Sequence, residues 1–275
     1  NPNTGEVYAI ANIPRYNPNN YSAYKPKRWI NRAVSDAYEP GSIFKPILAA
    51  AAIDSGVSRS HDVFFCEDGK FSIRGKGIGE AAGHKFGWLT LQNIISKSSN
   101  IGSVKVAQQL GKKTFYDYIR KFGFGQKTGI ALPGEAAGRF KELMAWDERS
   151  LASISFGQEI STTPLQMISA ISVIANGGTL MVPRVTQAVI KNGRAASLKP
   201  KTVRRVISTQ TSRQVVDILK HSVKAGTGGG AAIKGYEVAG KTGTAQKYDR
   251  KTGSYSKTAY VSSFVGFVPA DAARI

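Results

Sequence analysis

The sequence has a single cysteine, Cys66, and only three histidines, His61, His84 and His221, among 275 residues. One cysteine excludes an intrachain disulfide and reads as a small buried apolar residue rather than a nucleophile. The histidines have no H-E-x-x-H spacing, so neither a metal site nor metal chemistry is expected. There is no G-x-S-x-G elbow, which disfavours a Ser-His-Asp hydrolase. No Walker A loop is present and no G-x-G-x-x-G opens a helix, so no cofactor is expected. No apolar run reaches membrane-spanning length, the longest being a short alanine-rich stretch at residues 47–53. No signal peptide opens the chain, and no internal repeat is visible. Acidic residues are scarce: 18 Asp and Glu face 38 Lys and Arg, a formal net charge of +20. That balance favours anionic partners in general. The basic residues are dispersed, densest at Arg204-Arg205 and at Lys25, Lys27 and Arg28. This pattern suits a solvated basic surface and gives no reason to expect a nucleic-acid partner.

What is present fits one large domain or two small ones with a sizeable core, 41% of the residues being hydrophobic. Residues 6–12 follow a turn signal and read as a strand. Residues 17–28 read as a loop, and a Pro-Gly-Ser break then opens an apolar helix over about 41–53. Residues 57–89 read as loops and short strands. Thr90 is placed to cap a helix to about Lys97. The polar break Ser98-Ser99-Asn100 precedes a second helix to about Leu110, and a third over 114–122 closes at Gly123. Thr163-Pro164 and Asn176-Gly177 bracket an almost wholly apolar helix. Residues 185–191 read as a strand turning at Asn192-Gly193. A capping box at Thr211–Gln214 opens a helix ending near Gly226, followed by a flexible glycine loop over 227–232. Residues 236–248 and 258–269 read as an antiparallel pair turning over 249–253. Helices in the middle and strands at both ends give an α+β fold, with an antiparallel sheet built from the first and last strands.

With histidine disfavoured, the remaining route to a nucleophile is a serine activated by lysine. On a helix, residues i and i+3 share a face, so S-x-x-K puts a hydroxyl beside an amine. The motif occurs at Ser22–Lys25, Ser42–Lys45 and Ser254–Lys257. Only the second opens a helix, where free N–H groups and the helix dipole favour developing negative charge. The competing reading, at even odds on this motif alone, is that Ser42 merely caps the helix.

Two further signals stand beside it. Ser98-Ser99-Asn100 is the one S-x-N in the chain. Its hydroxyl and amide could relay a proton and hold a substrate amide, or it could simply cap the next helix. Lys-Thr-Gly occurs at Lys127, Lys241 and Lys251, and only the copy at Lys241 lies inside an expected strand. There Gly243 would let a ligand approach the backbone, while Lys241, Thr242 and Thr244 could bind a carboxylate. A plain strand with a bulge at Gly243 is the competing reading.

Taken together, S-x-x-K, S-x-N and K-T-G run in that order from 42, 98 and 241. The set, in the variant S-D-N, marks class A β-lactamases and penicillin-binding proteins. The sequence resembles class B penicillin-binding proteins, nearest to the division-type (septal) transpeptidases, over almost its whole length. Asn1-Pro2-Asn3-Thr4-Gly5-Glu6-Val7-Tyr8-Ala9, Asn31-Arg32-Ala33-Val34, Tyr38-Glu39-Pro40-Gly41-Ser42, Ser96-Lys97-Ser98-Ser99-Asn100, Thr163-Pro164-Leu165-Gln166, Gly226-Thr227-Gly228 and Ala239-Gly240-Lys241-Thr242-Gly243-Thr244-Ala245 carry that resemblance. Ile43 departs from it, threonine being common there. The resemblance implies an antiparallel sheet flanked by helices with an all-helical subdomain. It implies Ser42 as nucleophile, Lys45 as general base and Ser98 as an aid to proton transfer. Asn100 would hold the acyl side chain and Lys241 would support the electrostatics. Thr242 and Thr244 would bind the terminal carboxylate, and the N–H groups of Ser42 and Thr244 would form an oxyanion hole.

The implied reaction is attack on D-Ala-D-Ala, release of D-alanine, and resolution of the acyl-enzyme by an amine of a neighbouring stem peptide. β-Lactams would acylate the same serine. Membrane-embedded division proteins, including a glycosyltransferase, are the implied partners, at the bacterial inner membrane and on its periplasmic or extracytoplasmic side. By the same resemblance, a cytoplasmic tail, a membrane helix and a pedestal would precede these residues. A last strand and a C-terminal helix would follow Phe264–Pro269, so the chain reads as a fragment. A serine β-lactamase or sensor domain shares such motifs, and a catalytically inactive wall-binding module is the alternative of another class. Glu39, Glu80, Glu135 and Glu159 have no spacing that would place a water-activating base, and they read as surface or structural carboxylates.

Overall fold

The computed structural model describes residues 1–249 and 253–275. The expected turn at 249–253 and the Lys251 copy of Lys-Thr-Gly thus lie wholly or partly outside the described residues. The fold is α+β, helices packed around one apolar helix with antiparallel strand pairs at the periphery. That central helix, Lys45–Asp54, follows a 3₁₀ turn over Gly41–Phe44. Every residue from Ile43 to Ala52 is buried. Four consecutive alanines, Ala49 to Ala52, let neighbouring helices approach closely. Ahead of them Phe44 meets Phe124 edge-on at 5.1 Å and Phe115 at 6.3 Å.

Around this helix stand Leu91–Lys97, Asn100–Leu110, Lys112–Lys121, Pro164–Ala175 and Thr209–Ala225. Their ends follow local chemistry. The Thr90 hydroxyl accepts from the Asn93 N–H, and Ser99 accepts from Gly102 N–H. Thr163 and Gln166 form a full capping box before a first-turn proline. The box expected at Thr211 is not the cap of its helix. The helix begins two residues earlier, and Ser208 accepts from Thr211 N–H, because the apolar face extends back to Thr211 and buries it.

Among the described residues the longest ladder is the hairpin Ala239–Asp249 with Ser254–Phe267, in register from Ala239↔Phe267 to Gln246↔Tyr260. It packs on the Thr209–Ala225 helix and on the 41–44 turn. The expected first strand does not form as a strand. Arg184 occupies the backbone groups of Gly5 and Val7 and ion-pairs with Glu6 at 2.7 Å. These contacts make one parallel bridge, Glu6 to Arg184, and residues 8–11 run exposed. Nor is a sheet built from first and last strands; the last strand pairs with its own hairpin partner. No helix among the described residues is long and apolar enough to cross a membrane.

One carboxylate fastens the far end of the central helix. Asp54 accepts from Ser208 N–H at 2.7 Å, Thr211 Oγ1 at 2.8 Å and Tyr118 Oη at 2.7 Å. Burial alone would raise its pKa, but these hydrogen bonds outweigh it and hold the carboxyl below its ordinary value. A depressed carboxyl pKa contributes stability that is fully present above the unfolded value and is lost as pH falls through the folded one. Asp54→Asn should therefore lower stability by about 1–3 kcal/mol near neutral pH. The gap from wild type should narrow below about pH 4. Denaturant unfolding at several pH values checks this; a gap independent of pH would refute it.

Candidate active site

Ser42 and Lys45 are joined by the 3₁₀ turn itself, the Lys45 N–H donating to the Ser42 carbonyl. In a 3₁₀ turn the side chains at i and i+3 eclipse, so the hydroxyl and the amine lie on one side. Neither this turn nor the α-helix after it takes a capping bond from Ser42, which removes the capping reading. Ser42 is half-buried and lines a cleft of about 470 Å³ with Glu80, Asn100, Thr244 and Gln246.

Lys45 lies behind that cleft with no exposed surface. Its Nζ donates to the Ser98 carbonyl at 2.6 Å, to Asn100 Oδ1 at 2.8 Å and to Ser98 Oγ at 3.3 Å. Ser98 stands between two helices in the left-handed region, at φ 65°. That conformation turns both its carbonyl and its hydroxyl toward the amine. Burial pushes the Lys45 pKa well below the ordinary lysine value, Lys241 pushes it further down, and Glu80 pulls it up. The chemistry available is that of a lysine poised to lose its proton.

Lys241 is also buried, at 1% exposure, on the strand facing the turn. It donates to the Thr242 carbonyl at 2.9 Å and to Thr227 Oγ1 at 3.2 Å. Burial lowers its pKa to about 8. Thr227 and Thr242 share a hydrogen bond of 2.6 Å between their hydroxyls. The 227 end of the expected flexible loop is thus fixed, the Thr227 N–H donating to the Ser96 carbonyl as well.

Thr244 is exposed toward the cleft, whereas Thr242 is half-buried and held by Thr227. Gly243 has another duty than the one expected. The register is unbroken there, so no bulge exists. A Cβ on it would lie 2.9 Å from Ile43 Cγ2, 3.1 Å from Ile43 N and 3.2 Å from the Pro40 carbonyl oxygen. The neighbour that needs the space is the turn carrying Ser42. The buried Ile43 faces this strand, away from the cleft.

Two carboxylates outside the three motifs also contribute. Glu80 accepts at 2.6 Å from both Ser99 Oγ and Asn100 N–H. Glu39, just before the turn, accepts from Glu159 N–H and Tyr255 Oη, both at 3.0 Å, and burial raises its pKa. The Ser22–Lys25 copy is exposed among 3₁₀ turns, and Ser254–Lys257 lies in the returning hairpin strand. At the Lys127 copy, Thr128 donates to Glu135 from both its N–H and its hydroxyl. Among the described residues, the 42, 98 and 241 motifs are the ones that converge.

The sequence profile described as the penicillin-binding protein transpeptidase domain matches residues 1–275. The chain belongs to that family. It is 38% identical to Stage V sporulation protein D of Bacillus subtilis over 98% of this chain and 42% of that protein. It is 34% identical to the peptidoglycan D,D-transpeptidase FtsI of Escherichia coli, over 99% of this chain and 44% of that protein. Penicillin-binding protein 3 from Mycobacterium tuberculosis, solved in complex with aztreonam, superposes with a TM-score of 0.92 at 35% identity, over 99% of this chain and 63% of that one. The chain spans somewhat over two fifths of the length of these two curated relatives. The fold expected from the resemblance is thus the observed one.

The contact at Gly243 yields a test. Gly243→Ala puts a methyl against the Ile43 side chain and the backbone of the Ser42 turn, and overpacking of this kind costs roughly 1–3 kcal/mol. The midpoint of denaturant unfolding should fall accordingly, and labelling of Ser42 by a penicillin should slow. An alanine variant as stable and as reactive as wild type would mean that the turn has slack.

Proposed function

We propose that this domain is a peptidoglycan D,D-transpeptidase working through an acyl-serine, with Ser42 as nucleophile and Lys45 as base. The observation that carries the reading is the convergence of three sequence-distant motifs. A cleft serine sits on a turn with a fully buried lysine, which Ser98 and Asn100 hold and Lys241 crowds electrostatically. A neutral Lys45 takes the Ser42 proton as Oγ attacks the carbonyl of the penultimate D-alanine. The oxyanion is held by the N–H groups of Ser42 and Thr244. As the C–N bond breaks, the proton passes to the departing D-alanine amine, with Ser98 as relay. An amine from a second stem peptide then attacks the ester, loses a proton to the same base and frees Ser42. Thr242 and Thr244, beside Gly243, hold the terminal carboxylate, and Asn100 holds the acyl side chain. A β-lactam follows the first half of this path and stays bound.

The printed names of the relatives and the aztreonam complex of one neighbour support this reading. We further propose, on the sequence resemblance, a role in cell-wall synthesis at division, on the extracytoplasmic side of the bacterial inner membrane, beside membrane-embedded division proteins including a glycosyltransferase. We take residues 1–275 as the transpeptidase domain of a longer, membrane-anchored chain with a pedestal.

Intact-mass measurement after exposure to a penicillin should find one adduct, mapping to Ser42, and none in Ser42→Ala. The adduct should persist, since deacylation waits for an amine. An adduct that vanished at once with excess hydrolysed drug would make the domain a β-lactamase; labelling that survived Ser42→Ala would remove Ser42 from the role.

A separate expectation concerns the base. Lys45→Ala should slow acylation about 10² to 10⁴-fold while leaving initial drug affinity much less affected. Stopped-flow acylation kinetics measure both; an unchanged rate at neutral pH would remove Lys45 as the base.

A further inference from the structure

Glu80 lies on a strap that lines the cleft, twenty residues before Asn100 of the S-x-N motif and on no helix or long strand. Its carboxylate is nevertheless committed to that motif. Oε2 accepts from Asn100 N–H at 2.6 Å, and Oε1 accepts from Ser99 Oγ at 2.6 Å and from Ile101 N–H at 3.3 Å. Ser99 in turn accepts from Gly102 N–H at 2.9 Å. Three N–H groups of the Asn100–Leu110 helix, which have no partner within the helix, are thus satisfied by Glu80 and Ser99 together.

The preceding residue completes the hold. Asn100 Nδ2 donates to the Gly79 carbonyl at 3.0 Å. That bond settles which way the amide faces, because it leaves Oδ1, and not the NH₂, to accept from Lys45 Nζ at 2.8 Å. A flipped amide would set donor against ammonium and carbonyl against carbonyl. The strap therefore grips Asn100 by its backbone and by its side chain, and the far side of the same amide touches the buried lysine.

We propose that Glu80 is a positioning residue for acylation: with Gly79 it clamps Asn100, and through Asn100 it holds Lys45 in place for proton transfer from Ser42. This rests on the transpeptidase reading above. Glu80 lines the cleft, but both of its oxygens are occupied at the helix start, so it is not set to activate water. Its charge acts in the same place. The charged groups that bear on Lys45 are Lys241 from the strand and Glu80 from the strap, while Ser98 and Asn100 are neutral. Glu80 is the one that favours the ammonium.

The test is the pH profile of Ser42 acylation by a fluorescent penicillin in the wild-type domain, Glu80→Gln and Glu80→Asp, with melting temperatures alongside. Glu80→Gln keeps an acceptor oxygen but loses the charge. Its limiting acylation rate should fall about 10- to 100-fold, the scale of one charge-assisted hydrogen bond. The limb that reports Lys45 deprotonation should move to lower pH, because the ammonium loses its supporting carboxylate. Glu80→Asp should leave that limb in place and retain more of the rate. A Glu80→Gln profile matching wild type overturns the proposal. So does a rate loss that tracks falling melting temperature while the limb stays fixed, since that is a purely structural role. If wild type itself is not labelled at Ser42, the transpeptidase reading fails first; if wild type is labelled and Glu80→Gln is indistinguishable from it, only the role of Glu80 falls.

Discussion

A lysine with no exposed surface is the constraint on which the rest of the site depends. Removing an ammonium from water costs several kcal/mol even after relaxation, and Lys45 has no carboxylate in direct contact. It has instead three oxygen acceptors, all from the break between two helices. Three acceptors suit the three N–H bonds of an ammonium. The neutral amine needs only two and keeps a lone pair. The pocket therefore accommodates both protonation states, and burial, reinforced by crowding from a second buried lysine, shifts the balance toward the neutral one.

That arrangement dictates the surrounding architecture. The acceptors must stay fixed while the proton moves, so the helix break is immobilised by capping from both sides. Ser98, in a left-handed conformation, closes the first helix through its N–H on the Ile94 and Ile95 carbonyls, Ser99 caps the second, and Glu80 takes the remaining helix N–H groups. Lys241 must be close without touching, and it hangs on a strand whose glycine lets the Ser42 turn sit against its backbone. The central helix is anchored at its far end by Asp54, and its own four alanines let its neighbours pack close, so the turn at its near end has a rigid support.

Much of this was legible in the sequence where the cause is local. The breaks at 98–100, 163–164 and 176–177 depend on capping chemistry within four residues, and the structure puts them where the residues say. The three motifs were legible through their order, although each alone read at least as well as a cap or a plain strand. What was not legible is non-local. A strand at 6–12 needs a partner, and pattern alone cannot show that the segment at Arg184 would offer it only a single bridge. The cap at Ser208 was missed because Thr211 looks like a cap until its burial is known. Gly243 looked like an opening for a ligand because the sequence does not show which backbone lies across from it.

Glu80 marks the limit of motif reading more sharply. Its neighbours are glycines and alanines, and as a lone carboxylate in an irregular stretch it reads as surface. Its importance comes from a contact across twenty residues to a backbone N–H, and a backbone group leaves no residue type to recognise. Thr227, in a segment that the resemblance does include, likewise supports a motif from outside it, its hydroxyl reaching both Lys241 and Thr242 from the end of a glycine loop. In both cases the residue in the motif carries the reacting or binding group, while the residue that fixes its geometry lies on a different stretch of chain. A site that must hold two lysines out of water needs many such supports. Most of them are short polar side chains and carbonyls, the groups whose partners sequence alone reveals least.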